Sequence, residues 1–371
     1  MSSATDYKFE GWAAQGKDSI EGKLQFIDFS EKIKPFCDDD VDIKILYSGI
    51  CGSDLHTMSG GWGDVPYPQV VGHEIVGIAV RVGSQVTHVK EGDMVGVGAQ
   101  SDSCLECDQC KAHEEPHCDM GNVGTYAGTF QRQEKAKGYR SFGGYAMYSR
   151  HPGHFVIPIP KGVDPAHAAP LMCGGITLYN PLTRYGAGQE AKDVGIVGIG
   201  GLGHFGILFA KALGANVTAI SRSESKKADA EKMGADRFIA TGSGSEDNFK
   251  PYARSLDLII CTANNSTDFP LVGYLSLLKP FGKFIVVGAP EENLPELPAF
   301  PLIMGSISIG GSAIGSPSNI KSMLEFCAEK KIEPWIVKRP MKEVNQAVVD
   351  MHASKARYRY VLVNEENGAT F

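Results

Sequence analysis

The feature that most constrains the fold of this chain is a regular alternation of strands and helices that begins at Asp193. The strand DVGIVGIG precedes the helix LGHFGILFAKALGA, and the order repeats with NVTAISR and SESKKADAEKMGA. Further predicted strands read DRFIA, LDLIICT and GKFIVVGA, with a helix over PLVGYLSLLKPFG between the last two. Because such continuous apolar runs suit parallel strands covered on both faces, the pattern predicts a doubly wound α/β sheet.

A glycine-rich turn lies at the first junction between a strand and a helix. Gly198, Gly200 and Gly203 form a G-x-G-x-x-G string, with Gly201 and Leu202 before the last glycine. In such a turn the first glycine permits a tight bend, the second lets the backbone approach a pyrophosphate, and the third allows close helix packing. The N–H groups at the start of the helix add hydrogen-bond donors for the anion. The turn therefore predicts a dinucleotide site.

The end of the second strand indicates which dinucleotide binds. An NAD site usually carries Asp or Glu there, whereas this chain reads Ser221, Arg222 and Ser223, with Lys226 close behind. Serine hydroxyls can donate hydrogen bonds, and a guanidinium can bind a 2′-phosphate. Glu224 is expected at the start of the following helix and weakens the argument only slightly. The sequence thus favours NADP(H).

Four cysteines lie within a short polar stretch and suggest a metal site. Cys104, Cys107, Cys110 and Cys118 are spaced C-x2-C-x2-C-x7-C. Thiolates this close along the chain can surround one tetrahedral zinc ion, with an iron–sulfur cluster as the chemical alternative. Disulfides are a weaker interpretation, because two-residue spacers are awkward to bridge and nothing suggests a secreted chain.

Three further candidate ligands are far apart in the sequence. Cys51 lies in GICGSDLH, His73 in VVGHEIVG and Cys173 in APLMCGGIT. A catalytic zinc keeps three protein ligands and one open position, and two cysteines with one histidine are such a set. Glu74 could supply a fourth, exchangeable ligand, and Asp54 could accept a hydrogen bond from the far nitrogen of His73.

Composition excludes several classes of protein. The 371 residues carry a formal charge of −7, which offers no basic surface for nucleic acid. No run approaches the roughly 18 apolar residues that a membrane span requires. The first residues lack the basic and apolar pattern of a secretory signal, so we expect a cytoplasmic location.

The chain resembles the zinc-containing medium-chain alcohol dehydrogenases over nearly its whole length. The resemblance rests on GICGSDLH, YPQVVGHEIVG, the four-cysteine stretch, GGYAMYSR, FVIPIP, PLMCGGITLY, GIGGLGH and ARYRYVLV. It is strongest to the cinnamyl-alcohol-dehydrogenase branch and, within it, to the fungal NADP-dependent enzymes that act on a broad range of alcohols and aldehydes.

This resemblance implies an α/β architecture of two domains. Residues 1–170 and 314–371 would form a β-rich, GroES-like catalytic domain with a zinc lobe at about 100–120, and residues 171–313 a Rossmann NADP-binding domain. It implies two Zn²⁺ ions per chain. Cys51, His73 and Cys173 would hold the catalytic ion, with Glu74 near or on it, and the cysteine quartet would hold a structural ion. It also implies a homodimer joined through the Rossmann sheets.

The implied reaction is the NADP-dependent interconversion of primary alcohols and aldehydes. Ser53 follows Cys51 by two residues and is placed to hydrogen-bond the reacting oxygen, while His56 can pass the proton onward. A polyol or secondary-alcohol dehydrogenase is the nearest alternative, because polyol dehydrogenases share the CGSD string. Those enzymes typically carry glutamate as third ligand, so Cys173 favours the cinnamyl-alcohol branch.

More distant alternatives fit the residues less well. An iminium- or enone-reducing relative often lacks the proton relay, whereas Ser53 and His56 are both retained. A catalytically idle NADP-binding protein should have lost zinc ligands, and all are present. A zinc-finger nucleic-acid binder conflicts with the acidic residues inside the cysteine stretch, among them Glu106 and Asp108.

Overall fold

The computed structural model describes residues 6–242, 244–264 and 269–371. The strands are β1 Glu10–Ala14, β2 Gln25–Asp28, β3 Asp40–Gly49, β4 Gln69–Val70, β5 Ile75–Val82, β6 Met94–Val97, β7 Gln100–Asp102, β8 Val123–Gly124, β9 Tyr148–Pro152, β10 Ile157–Pro158, β11 Asp193–Val197, β12 Asn216–Ser221, β13 Arg237–Ala240, β14 Leu256–Cys261, β15 Leu278–Val286, β16 Ser308–Gly311, β17 Ile336–Pro340 and β18 Arg359–Val363. The helices are α1 Gly52–Ser59, α2 Asp108–Lys111, α3 Pro165–Pro170, α4 Ile176–Arg184, α5 Gly203–Ala212, α6 Lys227–Lys232, α7 Glu246–Phe249, α8 Leu271–Ser276, α9 Ala299–Gly305, α10 Pro317–Lys330 and α11 Val344–His352. Among the described residues, none of these helices has the length and apolar character needed to span a bilayer.

The chain divides into two compact units. The first consists of Met1–Ile176 and Gly315–Phe371, and the second of Thr177–Ile314. In the first unit a mostly antiparallel sheet has the order β10-β6-β5-β3-β18-β17, and β9 also pairs with β3. Strand β18, near the C-terminal end, lies antiparallel to β3, with Leu362 opposite Ser48. The two ends of the chain therefore share one sheet.

The central strand of this sheet positions the start of the first helix. Strand β3 ends at Gly49, and Cys51 is the N-cap of α1, where Asp54 accepts a hydrogen bond from the Cys51 N–H at 2.8 Å. A carboxylate in the first turn also suits the positive end of the helix dipole. The helix ends at Ser59, and the φ of 72° at the following Gly60 is the left-handed conformation that glycine adopts without strain.

The second unit contains the predicted parallel sheet. Its order is β13-β12-β11-β14-β15-β16, and every pairing within it is parallel. Its core includes Ile220, Ile259, Leu275 and Phe284, all nearly inaccessible to solvent. The prediction of a doubly wound parallel sheet from the apolar strands is confirmed.

One helix predicted for this unit ends earlier in the structure than the sequence pattern indicates. The helix expected over PLVGYLSLLKPFG stops at Ser276, and Leu278 already belongs to β15, where it pairs with Leu256. Pro280 explains only why the helix does not run to the end of this segment, because a proline disfavours helical backbone in the residue before it and removes an N–H donor. The remaining apolar residues extend the sheet instead.

Candidate active site

Four predicted ligand residues of the first unit converge in one buried cluster. Cys51, His73, Glu74 and Cys173 each offer a ligand atom, and these atoms all lie within 4.8 Å of one another. Cys51 precedes α1, and His73 and Glu74 lie between β4 and β5. Cys51 and Cys173 thus come together although more than 120 positions separate them in the sequence. Local secondary-structure propensity does not determine such a contact.

The second cysteine of this cluster lies in an unusual backbone segment. Cys173 occupies a π-helical turn, Leu171–Gly175, between α3 and α4. Such turns insert one extra residue into a helix and often occur at functional sites. The wide turn places the thiol of Cys173 at 3.1 Å from Nε2 of His73.

The electrostatics of the cluster favour a thiolate at Cys51. The pKa of this thiol is lowered, first by a hydrogen bond with Cys173 and then by the charge of His73, although burial acts in the opposite direction. The thiolate is the form of cysteine that binds a metal ion.

The imidazole of His73 is held from its other side by two oxygen atoms. Its Nδ1 lies 3.2 Å from Oδ1 of Asp54 and 3.0 Å from the hydroxyl of Tyr126. Asp54 is itself fixed, because it accepts hydrogen bonds from the Gly72 N–H at 3.2 Å and the Tyr145 hydroxyl at 2.9 Å. The structure therefore brings Asp54 and His73 together as the sequence predicts, and it adds two tyrosines that the sequence does not indicate.

The two carboxylate oxygens of Glu74 differ in their hydrogen bonding. Its Oε1 accepts hydrogen bonds from Arg359 at 2.5 Å and from the Gly174 N–H at 3.3 Å. Its Oε2 is buried and has no hydrogen-bond partner among the described residues. Gly49 leaves space for this oxygen, since an added Cβ would lie only 1.9 Å from it. Burial raises the pKa of Glu74 to about 7, against the opposing effect of Arg359.

The two predicted relay residues lie on α1. The hydroxyl of Ser53 is 3.6 Å from the Cys51 sulfur. The ring of His56 is partly exposed and stacks on Trp62, with centroids 4.7 Å apart and planes inclined by 17°. Ser53 therefore lies beside the ligand cluster, whereas His56 is placed by an aromatic contact that the sequence analysis did not predict.

The cysteine quartet also forms a cluster in the first unit. The sulfur of Cys118 lies 3.4 Å from that of Cys104 and 4.0 Å from that of Cys107, and the Cys104 and Cys110 sulfurs are 3.9 Å apart. A tetrahedral ion with Zn–S bonds of about 2.3 Å separates its sulfurs by about 3.8 Å, whereas a disulfide requires about 2.05 Å. The four sulfurs lie within 4.8 Å of one another, which suits one ion and leaves no space for an iron–sulfur cluster between them.

The glycine-rich turn of the second unit has the geometry of a phosphate-binding loop. Gly198 has a φ of 86°, an added Cβ at Gly203 would lie 1.8 Å from the Gly198 carbonyl, and nothing lies within 4 Å of such an atom at Gly200. Gly201 and Leu202 complete the turn, and α5 begins at Gly203. These are the bend, the close packing and the open backbone that a pyrophosphate site needs.

The predicted 2′-phosphate residues lie at the carboxyl end of β12. Ser221 ends the strand, and Arg222 and Ser223 are exposed beyond it. The ammonium of Lys226 donates a hydrogen bond to the carbonyl of Ile199 within the glycine-rich turn. Glu224 starts a short 3₁₀ helix, as expected from the sequence. Its carboxylate lies 3.5 Å from the Lys227 ammonium.

Arg359, Tyr126, Tyr145 and Gly49 were not found by the sequence analysis. Arg359 left one usable signal, because an arginine inside the apolar strand YRYVLV indicates a buried charge that needs a partner. Tyr126 lies in a loop and carries no comparable signal. Its role follows only from the three-dimensional contact with His73.

Comparison with known proteins agrees with this geometry. Residues 37–161 match the family described as alcohol dehydrogenase GroES-like domain, and residues 201–329 match the zinc-binding dehydrogenase family. The 8-hydroxygeraniol dehydrogenase of Catharanthus roseus is 44% identical over 353 residues, which are 95% of this chain and 94% of that protein. The NADP-dependent alcohol dehydrogenase 6 of Saccharomyces cerevisiae is 42% identical over 359 residues, 96% of each chain.

A solved structure shows the same architecture. A cinnamyl alcohol dehydrogenase from Sorghum bicolor superposes with a TM-score of 0.89 and 37% identity, covering 98% of this chain and 99% of that one. The fold and the buried donor set define a zinc-type dehydrogenase. The chain belongs to the zinc-containing alcohol dehydrogenase family. The predicted fold class, a GroES-like domain with a Rossmann sheet, and the predicted enzyme class are both confirmed.

Proposed function

We propose that this chain is an NADP-dependent alcohol dehydrogenase that works mainly as a reductase of primary aldehydes, with aromatic, cinnamyl or medium-length aliphatic substrates, in the cytoplasm. The observation that carries the proposal is the buried convergence of Cys51, His73, Glu74 and Cys173. The names of the relatives from Catharanthus and yeast, an 8-hydroxygeraniol dehydrogenase and an NADP-dependent alcohol dehydrogenase, support the assignment to the alcohol dehydrogenases. The first unit would be the catalytic domain and the second the NADP-binding domain.

Each of the two groups of ligand residues in the first unit fits one zinc ion, and the two ions would have different roles. Two thiolates and one imidazole form a catalytic set, which leaves a position for an exchangeable ligand. The Oε2 atom of Glu74, which has no hydrogen-bond partner within the described ranges, is a buried donor atom next to this set, and this fits its proposed place near or on the metal. The quartet, Cys104, Cys107, Cys110 and Cys118, supplies four sulfurs to a closed structural site.

Ser53 and His56 would carry the proton transfer of the reaction. Zinc supplies Lewis acidity toward the substrate oxygen, and NADPH supplies the hydride. Ser53, beside Cys51, would donate a hydrogen bond to the reacting oxygen during aldehyde reduction. His56, three residues further along α1, would then return a proton from solvent to Ser53, and Trp62 would hold its ring.

The preference for NADP would come from the end of β12. Arg222 is exposed and can direct its guanidinium at a 2′-phosphate, and Ser221 and Ser223 offer hydroxyl donors nearby. Lys226 already contacts the glycine-rich turn through the Ile199 carbonyl. Its positive charge therefore lies between the expected positions of the pyrophosphate and the 2′-phosphate.

A homodimer would cover an apolar surface of the second unit. Strand β16 ends the parallel sheet, so one edge of this strand has no neighbouring strand among the described residues. Close by in the chain, α9 exposes Phe300, Ile303 and Met304 by 74%, 67% and 71%. An open strand edge together with large exposed apolar side chains is typical of a protein interface.

The proposed activity is tested by NADPH consumption over a panel of carbonyl compounds. The panel should include cinnamaldehyde, benzaldehydes, aliphatic aldehydes of increasing length, secondary ketones and reducing sugars. We expect kcat/KM to be highest for aromatic or medium-length aldehydes, with little activity toward ketones and sugars. Higher kcat/KM for sugars or ketones would overturn the substrate class, and higher activity with NADH would overturn the cofactor.

A further inference from the structure

Tyr126 lies at the Nδ1 edge of the His73 ring, on the other side from the thiol of Cys173. Its hydroxyl is 3.0 Å from Nδ1, and the two rings are inclined by 39° with centroids 5.3 Å apart. Asp54 contacts the same nitrogen at 3.2 Å. Two oxygens therefore lie beside Nδ1, and both hold the ring so that Nε2 faces Cys173.

The backbone of Tyr126 is attached to the loop that carries the cysteine quartet. Strands β7 and β8 pair antiparallel, with Gln100 opposite Gly124, and the whole quartet lies between them. Tyr126 follows β8 by two residues. The adjacent Thr125 donates its N–H to the Ala99 carbonyl at 3.0 Å. We call residues 103–122 the cysteine loop, and its two ends are joined by this small ladder.

Side-chain hydrogen bonds tie the cysteine loop together at the same place. Asn122 Nδ2 donates to the Pro116 carbonyl at 3.0 Å, and Gln100 Nε2 donates to the Glu115 carbonyl at 2.9 Å. An ion bound by the quartet would fix the conformation of the loop between these contacts. An ion bound there would thus also hold β8 and the residues after it more firmly.

We propose that Tyr126 is a positioning residue for His73 and that it couples the two metal sites. Metal in the quartet orders the cysteine loop, the loop holds Tyr126, and the Tyr126 hydroxyl keeps the His73 imidazole in the orientation that binds the catalytic metal. This inference rests on the proposed function, because it requires two zinc ions per chain. Hydrogen-bond partners of a metal-binding histidine typically change metal affinity by about 10–100-fold when removed.

Tyr145 provides a matched control. Its hydroxyl donates to Asp54 at 2.9 Å, so it also supports His73 through one intermediate. Tyr145 lies between the cysteine loop and β9, and its backbone bonds to Val71 rather than to β7 or β8. Both Tyr126→Phe and Tyr145→Phe remove one hydroxyl near His73, but only Tyr126 is joined to the cysteine loop.

The test measures zinc release from the purified full-length chain into an excess of a chromogenic chelator. Cys173→Ala identifies the phase that belongs to the quartet. In Tyr126→Phe we expect the catalytic phase to be about 10–100-fold faster and the quartet phase to be unchanged. A catalytic phase in Tyr126→Phe that matches the unmodified chain would overturn the positioning role.

Coupling is tested by loosening the cysteine loop in each background. Cys118→Ser weakens the quartet, and Asn122→Ala is the milder variant if Cys118→Ser does not fold. We expect either change to accelerate release of the catalytic zinc in the unmodified chain and in Tyr145→Phe, but not further in Tyr126→Phe. Equal acceleration in all three backgrounds, or none in the unmodified chain, would overturn the coupling.

The proposed function fails in a different way. An unmodified chain that holds fewer than two zinc ions, or that does not reduce aldehydes with NADPH, would contradict the proposed enzyme. A chain with two zinc ions and normal aldehyde reduction, but with no effect of Tyr126→Phe on zinc release, would contradict only the role of Tyr126.

Discussion

Arg359 donates a hydrogen bond of 2.5 Å to Oε1 of Glu74, and the two side chains are only 2% and 0% exposed. They are 285 residues apart in the sequence and belong to the two separate chain segments that form the first unit. This ion pair joins the C-terminal strand β18 to the residue next to His73. It also leaves Oε2 of Glu74, on the side of Gly49, without a hydrogen-bond partner in the part of the chain that the structure describes.

Removing the guanidinium should destabilise the first unit strongly. In Arg359→Met, Glu74 would remain buried without its partner, and the loss of one member of a buried ion pair typically costs about 3–5 kcal/mol. The free energy of unfolding from urea titration of the zinc-loaded protein measures this. The double variant Glu74→Gln/Arg359→Met should recover part of the loss, and a change below about 1 kcal/mol in Arg359→Met would contradict the role of the pair.

Replacing Ser53 should slow the reaction without loss of metal. In Ser53→Ala the reacting oxygen loses its proposed hydrogen-bond donor, and positioned proton transfer usually contributes about 100-fold or more. We expect kcat for aldehyde reduction to fall by at least that factor, with zinc content unchanged. Ser276→Ala, an exposed serine of the second unit, is the control. Unchanged steady-state rates in Ser53→Ala would rule out the relay.

Reversing the charge of Arg222 should change the preferred cofactor. Arg222→Asp removes the proposed partner of the 2′-phosphate and introduces a carboxylate that can bind a ribose hydroxyl. The ratio of kcat/KM with NADPH to that with NADH should fall by about 100-fold, because a charged hydrogen bond contributes roughly 1.5–3 kcal/mol and repulsion adds to this. Arg237→Asp makes the same charge change at the amino end of the neighbouring strand β13 and should leave the ratio unchanged. An unaltered ratio in Arg222→Asp would contradict the assignment.

A charge on the exposed face of α9 should prevent dimer formation. Met304 is 71% exposed on this helix, and Met120, in the cysteine loop, is 79% exposed. We expect Met304→Glu to be monomeric by light scattering after size-exclusion chromatography, since a dimer would bury an unpaired carboxylate. Met120→Glu should keep the mass of the unmodified chain. A monomeric unmodified protein, or a dimeric Met304→Glu, would speak against this interface.

Local patterns in the sequence were sufficient for the parallel sheet and the glycine-rich turn. A continuous apolar run such as DVGIVGIG predicts a buried strand by itself. A G-x-G-x-x-G string after such a strand can be interpreted without knowledge of any distant contact. The boundary of α8 was missed because the apolar run through Leu275, Leu277 and Leu278 suits a helix and a buried strand equally. The pairing of Leu278 with Leu256, a tertiary contact, decides between them.

The candidate ligand residues can be predicted from the sequence, but the residues that surround them cannot. Cysteine and histidine are few and chemically distinct, so Cys51, His73 and Cys173 could be proposed before their distances were known. The partners of these residues depend on contacts across the sheet and the cysteine loop. No spacing rule relates Tyr126 to His73 or Arg359 to Glu74, and only the folded chain brings them together.

The central claim, that Cys51, His73 and Cys173 hold a catalytic zinc separate from the quartet, is tested most directly by counting zinc in Cys173→Ala. Zinc per chain is measured by elemental mass spectrometry, together with NADPH-dependent aldehyde reduction. We predict two zinc ions in the unmodified chain, and one zinc ion with no measurable aldehyde reduction in a folded Cys173→Ala. Two zinc ions retained in Cys173→Ala would contradict the assignment.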